Sequence, residues 1–193
     1  MHRSFIRTSY RDLMTSDLPV PAPIAPDTKD WTWVLRERCP ECGFTASDVA
    51  PHALGATLRD LVPRWISALH RVDVRERPVP TVWSPLEYGA HVRDLLSVFA
   101  ERLRLVLTRD DPVFPDWDQD AAALDGGYHR LDPSVVAEQL ADGAESLAGV
   151  FDGVPDDAWE RPGRRSDGSP FTTRTLGQYL LHDVVHHLHD VRA

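Results

Sequence analysis

The stretch that decides the fold is WSPLEYGAHVRDLLSVFAERLRLVL, residues 83–107. Ser84 can cap a helix, Pro85 suits the first helical position, and Glu87 follows the cap by three residues. Together they form the pattern of a capping box. Apolar side chains then recur at spacings of three and four, which is the period of an amphipathic helix. The sequence therefore predicts a helix that begins at Ser84 and turns one apolar face toward a core.

Two further segments share this period. Residues 48–70 carry apolar side chains at spacings of three and four from Leu54 to Leu69, and Pro63 is predicted to kink or break this helix. Asp132 as cap and Pro133 as first residue predict the start of the next helix.

A fourth helical segment ends the chain, and Thr175 with Gln178 is predicted to form its capping box. No segment alternates as several strands would, and no long period repeats. The predicted fold class is all-α, a four-helix bundle whose loops have unequal lengths. Residues 1–30, rich in proline toward their end, are predicted to be an extended or disordered tail, and residues 31–193 a single bundle domain.

Composition limits the class of protein. With 193 residues and 42% hydrophobic content the chain can bury one substantial core. A formal net charge of −9 argues against nucleic acid as a partner, since phosphate binding needs a basic face. No run approaches the roughly 18 apolar residues of a membrane span. We expect no membrane partner and a cytoplasmic location.

Histidines are concentrated in LLHDVVHHLHDV, residues 180–191. On a helix, His182 and His186 lie one turn apart on the same face, with His189 near them, and two imidazoles so placed can chelate one cation. The alternative is a pair of hydrogen-bonded core histidines. The opposite border of this helix is interpreted as a solvated face, formed by Asp183, His187 and Asp190.

His91 is the candidate for a third ligand, because the helical period turns it toward the bundle interior. Burying several imidazoles without a shared partner would cost about 1–3 kcal/mol each. Cys39 and Cys42 form a CxxC pair that provides two ligands of a zinc knuckle, with no second pair to complete it. His52 could add a ligand, or the pair could be a redox couple. The favoured interpretation is a short turn with two reduced thiols.

The segments WSPLEYGAHVRDLL and TLGQYLLHDVVHHLHDV resemble the DinB/YfiT-like superfamily of four-helix bundles, in a match over residues 45–191. The resemblance implies that His91, His182 and His186 are metal ligands. It also implies a divalent metal that assists reactions of low-molecular-weight thiols such as mycothiol or bacillithiol. The extended N-terminal tail and the CPECG motif depart from the simplest members.

The functional hypothesis combines this resemblance with the histidine pattern. Three protein ligands would leave a coordination position open, as in catalytic zinc sites. We expect Zn²⁺, with Ni²⁺ or Fe²⁺ as alternatives, and transfer of a small-molecule thiol to an electrophile. The arginine-rich composition, in which Lys29 is the only lysine, favours mycothiol as donor. The alternative is a non-catalytic metal- or ligand-binding bundle, and a homodimer is compatible with either hypothesis.

Overall fold

Four long helices carry most of the core. They are α1 (Leu54–Leu69), α2 (Pro85–Thr108), α4 (Pro133–Asp152) and α5 (Thr173–Asp190), with a short helix α3 (Gln119–Asp125) between α2 and α4. The computed structural model describes residues 21–25 and 29–193, which include all of these elements. Each long helix buries a leucine-rich stripe, and the core also contains the fully buried Trp65, Tyr128 and Phe114. The predicted four-helix bundle is confirmed.

The order of helices around the bundle differs from their order in sequence. Helix α4 packs against α1 and α2, and α5 packs against the same two helices. Gly177 allows α5 to approach α1 closely, because a Cβ at position 177 would lie 2.6 Å from Cδ1 of Leu54. In this arrangement α5 borders both α1 and α2.

The helix starts follow the predicted caps in two of three cases. Ser84 forms its capping box with Glu87, and Asp132 accepts a hydrogen bond from the backbone N–H of Ser134. The predicted box of Thr175 with Gln178 is wrong, since Thr172 is the cap and Thr175 is its partner. The reason is that strand residues lead directly into α5, so the helix begins earlier.

Pro63 does not break α1. The helix runs without interruption from Leu54 to Leu69, and Pro63 is exposed on its outer side. The residues before Leu54 form two short 3₁₀ turns, Ala46–Asp48 and Pro51–Ala53, so the helix begins later than the predicted residue 48.

A small sheet, absent from the sequence prediction, lies beside α2. Strand β1 (Val113–Phe114) pairs in parallel with β2 (Pro162–Arg165), which pairs antiparallel with β3 (Pro170–Thr172). Its buried aromatic residues, Phe114 and Phe171, lie against each other. Strands of two to four residues are too short to show alternation, which explains why they escaped prediction.

The segment before α1 packs on α5. It contains a 3₁₀ turn, Trp31–Leu35, whose first residue contacts the histidine face of α5. Most of the tail predicted for residues 1–30 lies outside the described residues, but residues 21–25 contact the loop before α2, where Arg77 donates to the carbonyl of Ala22. Within the described ranges, no helix is long and apolar enough to cross a membrane.

Candidate metal centre

Four side chains with metal-binding atoms meet where the N-terminal segment crosses α5. They are Cys39, Cys42, His182 and His186, and one donor atom from each lies within 4.8 Å of all the others. The Sγ atom of Cys39 lies 3.7 Å from Nδ1 of His186. Both cysteines are free thiols, and sulfur with imidazole is a donor set that suits Zn²⁺.

A tight turn presents the two thiols. The backbone N–H of Cys39 donates to the carbonyl of Phe44 at 2.8 Å, and that of Gly43 donates to the carbonyl of Cys39 at 2.9 Å. Gly43 has φ of +78°, a conformation that other residues rarely adopt. The sequence CPECG therefore folds back on itself directly after Cys42, so both sulfur atoms face α5. The predicted short turn is present, and no disulfide joins Cys39 to Cys42 in it.

The buried imidazole of His182 lacks a satisfied hydrogen bond. It is 1% exposed, and neither ring nitrogen has a hydrogen-bond partner among the described residues. Asp183 Oδ1 lies 3.6 Å away, beyond a good hydrogen bond. Buried polar atoms without partners are uncommon and often mark a place where an ion binds. The geometry therefore fits a metal ion at this cluster.

The two thiols have different acidities. Burial raises the pKa of Cys42 to about 11. Burial also opposes ionisation of Cys39, but the backbone N–H of Cys42 and the ring of His182 outweigh it and hold the pKa of Cys39 below its ordinary value. Cys39 is thus the thiol more readily ionised.

His91 lies in a different group of rings. Its imidazole stacks on Trp117 with ring centroids 5.2 Å apart, and its centroid lies 4.8 Å from that of His187. Trp83 closes another side at 5.2 Å. Burial, followed by the nearby His187, lowers the pKa of His91 well below its ordinary value. His91 is therefore a neutral imidazole, and its Nδ1 has no hydrogen-bond partner in the described part of the chain.

The border of α5 interpreted as a solvated face is half-buried instead. Asp183, His187 and Asp190 all line one cavity. Nδ1 of His187 lies 2.9 Å from a carboxylate oxygen of Asp190, so the pair is hydrogen-bonded. The interpretation was wrong because the loop after β1 and the N-terminal segment both fold over this border, which no local pattern on α5 reveals.

The cavity has a volume of about 480 Å³. Its walls come from α5, from residues 81–83, from residues 116–120, which lead into α3, and from the N-terminal segment, which contributes Lys29, Trp31 and Glu41. Carboxylates outnumber basic groups on these walls. His182 and His186 line one side, and His187, which contacts His91, lines another.

The structure divides the predicted ligand set His91, His182 and His186. His182 and His186 lie with Cys39 and Cys42, whereas His91 is not part of that group. His52, considered as a partner for the thiols, instead contacts Trp159 and Asp156. The signal for the four-residue group was present in the sequence as one CxxC pair and one HxxxH pair, although nothing local joins them.

Comparison with known proteins places the chain in a family. The sequence matches the DinB superfamily over residues 56–191, and the chain belongs to that superfamily. No curated protein sequence matches it. The fold is similar to that of YfiT from Bacillus subtilis, described as a probable metal-dependent hydrolase with an unusual four-helix bundle topology. That similarity has a TM-score of 0.64 and 17% identity, covering 76% of this chain and 85% of YfiT.

Proposed function

We propose that the protein is a metal-dependent enzyme that acts on small molecules in the cavity beside α5, and that it transfers a low-molecular-weight thiol to an electrophile. The observation that carries the proposal is the His91–His187 contact at the cavity wall. Two imidazoles meet there with ring centroids 4.8 Å apart, next to a space open to substrate. Such a site leaves coordination positions for a substrate atom.

The side chains at this wall carry donor atoms of the kind that a divalent cation binds. Nδ1 of His187 is hydrogen-bonded to the Asp190 carboxylate, which leaves Nε2 as the ring atom available to a metal, and a carboxylate behind an imidazole is the usual support for a metal-binding histidine. His91 is neutral and has an unpartnered Nδ1. Asp183, one helical turn before His187, adds a carboxylate on the same border. His91, His187 and Asp183 would hold the metal.

A metal at this wall would supply a positive charge that lowers the pKa of a thiol and makes it a nucleophile at neutral pH. The chain's own residues do the rest. Trp117 and Trp83 fix the His91 ring and exclude water from its buried side. Asp190 fixes the orientation of the His187 ring.

The charge of the cavity bears on the choice of thiol. Six carboxylates line it against two basic side chains, the six being Glu41, Asp116, Asp118, Asp120, Asp183 and Asp190. A negative wall disfavours anionic ligands. Mycothiol has no carboxylate, whereas glutathione and bacillithiol carry them. We therefore keep mycothiol as the proposed donor.

The test uses metal-loaded protein, each of the three thiols and monobromobimane as the electrophile. The thiol–bimane product is separated and quantified, because the protein's own cysteines also react with bimane. We expect conjugation above background with mycothiol, and a loss of 10²-fold or more in His91→Ala and His187→Ala, as expected when a catalytic group is removed. His52→Ala is the control and should keep the wild-type rate, since His52 lies away from the cavity lining.

Three outcomes would count against the proposal. If no thiol reacts above background, the alternative of a non-catalytic binding bundle is favoured. If His91→Ala and His187→Ala react at the wild-type rate while His182→Ala and His186→Ala do not, the reaction belongs to the cysteine–histidine cluster. If ester or amide substrates are cleaved instead, the activity is hydrolysis, as described for YfiT.

A further inference from the structure

The geometry points to a second role for metal in this protein: Cys39, Cys42, His182 and His186 form a closed, structural zinc site that fastens the N-terminal segment to α5. This inference is independent of the proposed reaction, since it concerns a different set of side chains. Its evidence is the meeting of a CxxC turn with an HxxxH pair inside the protein.

The distances suit a tetrahedral ion after a small contraction. With Zn–S near 2.3 Å and Zn–N near 2.0–2.1 Å, the ligand atoms of a tetrahedron lie about 3.3–3.8 Å apart. The four donor atoms here already lie within 4.8 Å of one another, and Cys39 Sγ to His186 Nδ1 measures 3.7 Å. A contraction of at most about 1.5 Å therefore brings the four donor atoms to tetrahedral spacing.

The surroundings support coordination. Cys39 is fully buried, His182 is 1% exposed and Cys42 is half-buried, so most of the donor set lies beneath the surface. Neither ring nitrogen of His182 has a hydrogen-bond partner within the described residues. Nε2 of His186 faces Glu41 at 3.5 Å and Asp190 at 3.9 Å, which leaves Nδ1 for the ion and places carboxylates behind the ring.

Four protein ligands leave no open position, which distinguishes structural from catalytic zinc. With zinc bound, the two thiolates would be held reduced and would not act as a redox couple. The site therefore does not compete with the cavity wall for the reaction. Its function is to hold the turn of residues 39–44 against the last helix.

The fastened segment builds part of the cavity. Trp31 packs on both His182 and His186, with ring centroids at 5.5 and 4.9 Å, and it lines the cavity with Glu41. Farther along, the side-chain amide of Gln178 donates to the carbonyls of Ala46 and Val49. With the metal removed, residues 31–44 would keep the packing of Val34 in the core and of Trp31 on α5, but the turn of residues 39–44 would lose its ligand link to that helix. Residues 46–49 would keep the Gln178 anchor as well.

The experiment begins with wild-type protein, prepared without an affinity tag and loaded with Co²⁺ in place of zinc. We expect an absorption spectrum with thiolate-to-cobalt charge transfer and the intense visible bands of tetrahedral cobalt. Cys42→Ser should lose the charge transfer in large part, and His52→Ala, a histidine outside the cluster, should keep it. Helix content measured by circular dichroism should stay close to that of the wild type.

A second measurement locates the effect. Hydrogen exchange followed by mass spectrometry should show at least tenfold faster exchange over residues 31–44 after the metal is removed by a chelator, with α1 and α4 unchanged. Octahedral cobalt without thiolate charge transfer, a disulfide between Cys39 and Cys42 in freshly purified protein, or unaltered exchange over residues 31–44 would each overturn the inference. Loss of thiol transfer with a normal cobalt spectrum would count only against the proposed function.

Discussion

At the scale of single residues, the start of α2 depends on a buried ion pair. The guanidinium of Arg77 donates to the Glu87 carboxylate at 2.5 and 2.9 Å, and the two side chains are 13% and 4% exposed. Ser84 donates to the same carboxylate from its backbone N–H and its hydroxyl. Glu87 therefore serves both the helix cap and the loop that precedes it.

Glu87→Gln should lower the free energy of unfolding by about 3–5 kcal/mol, because it removes the carboxylate that neutralises the largely buried Arg77 guanidinium and leaves that charge only hydrogen bonds to neutral groups such as the carbonyls of Ala22 and Pro80. Burial raises the pKa of Glu87, but Arg77 and Ser84 outweigh it, so the pKa lies below its ordinary value. The stabilisation by this carboxylate is fully present at pH values above the pKa of Glu87 in the unfolded chain. It is lost as the pH falls through the lower pKa of Glu87 in the folded protein. Urea unfolding across the acid range measures the difference between wild type and variant.

Glu101→Gln is the matched control. Glu101 pairs with Arg104 on an exposed face of the same helix, so its removal should leave stability nearly unchanged. The free energy of unfolding of the wild type should approach that of Glu87→Gln as the pH is lowered. If the difference between the two does not decrease, the ionised carboxylate is not the source of the stability.

At the scale of elements, the contact of α1 with α4 depends on Gly55. A Cβ at this position would lie 2.8 Å from the carbonyl oxygen of Ala148 and would also meet the carboxylate of Asp152. The obstacle includes backbone, which cannot rotate away as a side chain can. The two helices therefore need glycine here to keep their separation.

Gly55→Ala should destabilise the bundle by about 1–3 kcal/mol through overpacking, despite the higher helix propensity of alanine. Gly149→Ala is the control, since a Cβ at Gly149 meets nothing within 4 Å. It should stabilise the protein by up to about 1 kcal/mol. Thermal unfolding should show a lower melting temperature for Gly55→Ala and a higher one for Gly149→Ala than for the wild type. A higher melting temperature for Gly55→Ala would contradict the close approach of α1 to α4.

The elements themselves were largely predictable from the sequence, because their signals are local. Ser84, Asp132 and the apolar period of α2 lie within a few residues of what they control. The prediction failed at Gln178, which was assigned to a cap but reaches the carbonyls of Ala46 and Val49 instead. Its partners lie about 130 residues away, where no periodicity can point to them.

At the scale of the whole molecule, the two proposed metal positions give a definite stoichiometry. Wild-type protein should bind two metal ions per chain, and elemental analysis of untagged protein measures this number. His91→Ala and Cys42→Ser should each bind one, and the double variant none. Chelation should lower the melting temperature of wild type, because the ions bind the folded chain and not the unfolded one.

The predicted ligand set of His91, His182 and His186 makes a different forecast for the same measurement. It requires one metal ion per chain. That ion should be lost in His91→Ala and in His182→Ala, and it should be retained in Cys42→Ser. Sequence alone could not choose between the forecasts. His182 and His186 share a face by helical geometry, but only the folded chain shows that Cys39 meets His186 across 147 residues, while His91 meets His187.

The wide separation of Cys39 and His186 has a consequence for how the protein is made. A ribosome adds roughly 5–20 residues per second, so α5 emerges about 7–30 s after the CxxC turn. During that interval both thiols lack the imidazoles that will bury them, and the turn can form a disulfide or capture a stray soft metal. The yield of correctly joined chains should therefore follow the redox state and free zinc of the compartment during translation, even though the finished bundle buries Cys39 completely.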